Sequence, residues 1–143
     1  MKLTRSFTLE ELTHTSTGLP NAPSAEDAAR LADLASTILQ PIRDYWGGVY
    51  VTSGYRGAEV NNKVGGSPTS QHCKGEAADI KPLEATCEQV FKWIVKASGL
   101  CYGQCIWEKK GGKEWLHVSL PRKDKPNNQR LTYDGKEYRP YAG

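Results

Sequence analysis

A chain of 143 residues is the length of one ordinary domain, enough to bury a core and too little for a catalytic domain with a substantial accessory module. With 38% hydrophobic and 24% charged residues, a mean hydropathy of -0.61 and no apolar window of the about 20 residues that a spanning helix needs, the composition argues against a membrane protein. The net charge of +3 is spread thinly apart from Lys109-Lys110 and residues 122–125, too weak a footprint for nucleic acid but suited to an anionic polymer such as a bacterial cell wall.

The N-terminal stretch carries a charge but no apolar core of the kind a secretory signal has, so the expected location is the cytoplasm, or the wall after release by another route. Cys73, Cys87, Cys101 and Cys105 are even in number without being disulfide-dense, and free thiols are expected. A structural zinc site of four thiolates is the alternative, but no CxxC spacing supports it.

In chain order, Thr8 and Glu11 form a capping-box pattern that predicts a short helix. A loop follows over residues 18–23. From Ser24, Leu31, Leu34, Ala35, Ile38, Ile42 and Tyr45 recur at helical spacing, predicting a long amphipathic helix with a kink near Pro41 and an end at Gly47-Gly48. Val49 to Ser53 reads as a strand that delivers Gly54-Tyr55-Arg56 at its end. Residues 57–69 predict a helical turn and an exposed loop, and Ala77 to Pro82 a second strand. Cys87, Val90, Phe91, Ile94 and Val95, at offsets 0, 3, 4, 7 and 8, predict a second amphipathic helix closed by Ser98-Gly99. Tyr102 to Glu108 and Trp115 to Leu120 are strand candidates joined by a hairpin over 109–113, and the tail from Pro121 is expected to be polar and loop-rich.

Two of the three histidines, His72 and His117, lie beside carboxylates in these strand-like segments. A catalytic zinc ion takes three protein ligands and leaves one position open for water, which His72, Asp79 and His117 satisfy, with Glu114 left for proton transfer. Side chains of a strand alternate faces, so Glu114 and His117, three apart, point opposite ways unless the strand is irregular where it leaves the turn. Taken singly, each of these residues reads better as a surface or turn residue; their joint spacing argues otherwise.

Ser53-Gly54-Tyr55-Arg56, then Ser70, His72, Gly75, Ala77 and Asp79 in the pattern SxHxxGxAxD, then Glu114 and His117 as ExxH, resemble the zinc D-alanyl-D-alanine peptidases. That family includes D-Ala-D-Ala carboxypeptidases, dipeptidases and phage L-alanyl-D-glutamate endopeptidases, and its core is similar to lysostaphin and the hedgehog signalling domain. The resemblance implies an α+β fold, a small antiparallel sheet with helices packed on one side, over a single domain of residues 1–143. It implies one catalytic zinc ion on His72, Asp79 and His117, with Glu114 moving a proton from the attacking water to the leaving amine. Arg56 would face the developing oxyanion or a substrate carboxylate, and Ser70 and Gln71 would hydrogen-bond substrate backbone. Trp115 reads as cleft wall or as core. The expected substrate is a peptidoglycan stem or cross-bridge peptide, cleaved by a monomeric phage or prophage lysin released through a holin. The alternatives are a cytoplasmic D-Ala-D-Ala carboxypeptidase or dipeptidase, and a zinc-bearing wall-binding module without turnover. No nucleic-acid or membrane partner is expected.

Overall fold

The computed structural model describes residues 1–142. Helix α1 (Leu9–Thr13) starts on the Thr8–Glu11 capping box. The Ser24 side chain caps α2 (Ala25–Leu34), which runs through a π-helical turn (Ala35–Leu39) into α3 (Gln40–Trp46). The π turn is what becomes of the kink expected at Pro41: proline lacks an N–H and crowds the carbonyl four residues back, and widening the preceding turn, with the Gln40 N–H reaching Ala35 O, relieves both problems without breaking the helix. Tyr45 departs from the predicted stripe; it is 62% exposed and stacks on Trp93.

Six strands form one sheet in the order β1-β2-β4-β3-β5-β6. They are β1 (Val49–Ser53), β2 (Ala77–Pro82), β3 (Gln104–Lys110), β4 (Lys113–Ser119), β5 (Gln129–Tyr133) and β6 (Tyr138–Pro140). All neighbours are antiparallel except β3 and β5. This is the expected α+β class, with one parallel pair that the sequence did not suggest. Val51, Ala78, Ile80, Cys105, Leu116 and Val118 form a core with Leu31, Leu34, Ile38 and Ile42 of the long helix and with Val90, Phe91 and Ile94 of α5 (Cys87–Lys96). The period-two alternation of the strands therefore sends Asp79, Ile106, Glu108, Trp115 and His117 to the other face, where a cleft forms.

The loop-rich tail carries two strands that the sequence did not suggest. Gln129–Tyr133 docks on β3, and Tyr138–Pro140 folds back on it through a turn in which Asp134 Oδ1 accepts the Lys136 and Glu137 N–H groups. The signal was the Asp134-Gly135 pair, a common hairpin turn sequence, with Gly135 at φ 96°.

Candidate active site

Each part of the Ser70-to-Asp79 motif has a local task. Ser70 Oγ accepts the His72 N–H and so starts the 3₁₀ turn Gln71–Lys74. Gly75 ends that turn in the left-handed region at φ 75°, where an added Cβ would lie 2.4 Å from the Asp27 carbonyl oxygen. The chain then enters β2, whose Asp79 pairs directly with His117 of β4. Upstream, Gly54 passes so close to α1 that a Cβ would lie 2.3 Å from Leu12 O. This approach fixes the Gly54 carbonyl, which His72 Nδ1 contacts at 2.8 Å. A carbonyl only accepts, so Nδ1 carries the proton and Nε2 is the free ligand atom, an arrangement typical of metal-binding histidines.

Among the described residues, His72, Asp79 and His117 are the one group whose ligand atoms converge as a metal site requires, all within 4.8 Å of one another. His72 Nε2 lies 3.4 Å, and His117 Nδ1 3.0 Å, from Asp79 Oδ1. Tetrahedral bonds of about 2.0–2.1 Å to zinc separate ligand atoms by about 3.3 Å, so the spacing fits that ion. Burial opposes ionisation of Asp79, but the two imidazoles outweigh it and hold the carboxyl well below the usual range, in the charged form a metal needs. The four cysteines do not assemble into a comparable group among the described residues.

A cleft of about 690 Å³ opens over this triad. Arg56 and Ser70 line it, with Arg56 Nη2 3.4 Å from Ser70 Oγ and the Arg56 N–H donating to His72 O. Trp115 lines it too, which decides between cleft wall and core. The Gln71 amide is buried and donates to Leu120 O at 3.0 Å, joining the motif to the end of β4.

Glu114 does not line the cleft. Strand alternation holds up to the turn, so its carboxylate lies on the helix-covered face, accepting from Trp107 Nε1 at 2.7 Å while Trp107 packs against Phe91. The acid in the cleft is Glu108, the register partner of Trp115, whose Nε1 donates to Glu108 Oε2 at 3.1 Å. The hairpin thus carries two indole–carboxylate pairs, one on each face. Burial, then the Asp79 charge, raise the Glu108 pKa against the opposing pull of His117, Trp115 and Arg56.

A family model described as Peptidase M15 matches residues 5–119. The chain belongs to this family. No curated protein matches the sequence. M15 peptidases are zinc-dependent metallopeptidases, and this M15 chain is accordingly a hydrolase of peptidoglycan-type peptides. The family match ends at the last residue of β4, leaving β5 and β6 outside it. No helix among the described residues is long and apolar enough to cross a membrane.

The raised pKa of Glu108 has a thermodynamic consequence. Between the ordinary carboxylate pKa and the raised one, the folded state holds a proton that the unfolded state has released, so stability falls as pH rises through that window and the cost is complete above it. Glu108→Gln removes the cost and keeps an acceptor for Trp115. In metal-free protein the variant is expected to melt above wild type at neutral pH, with the difference disappearing below the ordinary carboxylate range. Scanning calorimetry across pH checks this; a lower melting temperature at pH 7 would contradict it.

Proposed function

We propose that the chain is a single catalytic domain over residues 1–143 that hydrolyses a peptide bond in the stem or cross-bridge peptides of peptidoglycan. Its setting is a phage or prophage wall lysin, with zinc held by His72, Asp79 and His117. The observation that carries this reading is convergence: three ligands, the Arg56 guanidinium and one carboxylate of raised pKa from four separate segments face a single cleft. The mild positive net charge suits an anionic wall.

Zinc bound to the triad supplies Lewis acidity to the scissile carbonyl and lowers the pKa of water to about 7. Glu108 acts as general base: Trp115 holds Oε2, Oε1 is left to take the proton of the attacking water, and a raised pKa suits returning that proton to the leaving amine. Arg56, tied by its backbone to the His72 carbonyl, presents its guanidinium to the oxyanion that develops on the carbonyl. Ser70 steadies Arg56 and borders the substrate path.

The test is digestion of purified peptidoglycan by zinc-loaded protein with mass analysis of the released fragments. Fragments ending at one stem or cross-bridge bond, lost on chelation and restored by zinc, are expected. Intact wall with zinc bound would count against turnover and for a wall-binding module.

A further inference from the structure

The cleft does not stop at the family's catalytic core. On its face of the sheet, successive register partners place Trp115, Glu108, Tyr133 and Tyr138 in one row across β4, β3, β5 and β6. The last two come from the hairpin beyond the family match. Their rings lie 4.5 Å apart at 32°, and Tyr138 is 55% exposed over the cleft it lines. The hairpin is held by the Asp134 turn and by the Tyr141 N–H on Arg130 O, so this aromatic surface is formed before any ligand arrives.

One step further along β3, on the same face, Lys110 lines the cleft without an ion-pair partner among the described residues, whereas its neighbour Lys109 lies over Trp107 on the helix side. Lys110 lies two positions beyond Glu108 on β3, about 7 Å of β rise. An extended peptide covers that distance in about two residues. With the triad carboxylate neutralised by its metal and Arg56 committed to the carbonyl, Lys110 is the cation left for a charged group of the substrate.

We propose that Lys110 and the Tyr133–Tyr138 surface form a subsite for a peptide carboxylate about two residues from the scissile bond. The lysine pairs with the carboxylate, and the phenol rings cover the aliphatic chain beside it. Lys110 thereby makes this M15 chain selective for acidic over amidated peptides, and the C-terminal hairpin adds affinity for both. This inference rests on the peptidase reading for its orientation along the cleft but is read out by binding.

The experiment uses zinc-loaded protein and a soluble peptidoglycan stem peptide in two forms, with free carboxylates and with those carboxylates amidated, titrated by calorimetry and assayed for turnover. Wild type is expected to bind the free acid about tenfold more tightly, the size of one well-placed charge contact. Lys110→Ala is expected to remove that preference while leaving the affinity for the amide unchanged, Lys110→Arg to keep it, and Lys110→Glu to reverse it. Tyr138→Ala is expected to weaken both forms alike. An acid preference unchanged in Lys110→Ala, or absent in wild type, overturns the subsite. Peptides that bind with the predicted preference but are never cleaved overturn the peptidase reading and leave the subsite standing.

Discussion

Replacing Glu108 with Gln is expected to lower kcat for wall-peptide hydrolysis by about 10²–10⁴-fold, the usual contribution of a general base, while Glu114→Gln stays within a few-fold of wild type. The two acids lie on opposite strands of one hairpin, and each accepts an indole N–H. They differ in the face they occupy. Glu108 shares the cleft with His117, Asp79 and Arg56, and those charges act on its titration. Glu114 lies near the start of α5, where its charge acts on Cys87 instead. Bringing it to the metal face would require a one-residue slip of β4, which would also carry His117 out of the cleft and Leu116 out of the core. Steady-state kinetics on a stem peptide, with zinc content measured in each variant, separates loss of the base from loss of metal. An inactive Glu114→Gln beside an active Glu108→Gln would reverse the assignment.

Asp79→Asn is expected to abolish hydrolysis by a different route, through metal uptake. Asp79 Oδ1 stands between both imidazoles, and its negative charge offsets that of the ion. Outer partners of metal ligands are worth about 10–100-fold in affinity, so loss of a direct anionic ligand is expected to cost about 100-fold or more. Elemental analysis after dialysis should fall from one zinc per chain towards zero, with the sheet intact by circular dichroism because asparagine is isosteric. Glu108→Gln retains its zinc in the same measurement, so the two variants distinguish the roles of base and ligand. Full zinc occupancy in Asp79→Asn would remove Asp79 from the ligand set.

The path of the SxHxxGxAxD motif and the amphipathic helices were legible in the linear sequence because their determinants are local. Ser70 caps a turn, Gly75 alone suits the left-handed φ that ends it, and β2 follows at once, so the SxHxxGxAxD spacing describes a backbone path as well as a set of side chains. The apolar stripes of α2 and α5 likewise need only a period of 3.6 to be seen.

The acid proposed as base was not legible in this way. Alternation along β4 already set Glu114 against His117, but the cleft acid is found only once the hairpin register is known. With the connection read as 109–113, Glu108 had no partner; with the turn closing at Gly111-Gly112 so that Lys110 meets Lys113, Glu108 falls opposite Trp115 and on its face. The aromatic wall lay further from view, since β5 reaches β3 as a parallel neighbour over a long connection that no local pattern encodes. The sequence by itself determined which residues could bind zinc and which segments would coil or extend, because those depend on neighbours a few positions away. Tertiary structure alone decided which carboxylate shares the cleft with the triad and what lines the cleft beyond it, because face and register are properties of strand pairing between distant segments.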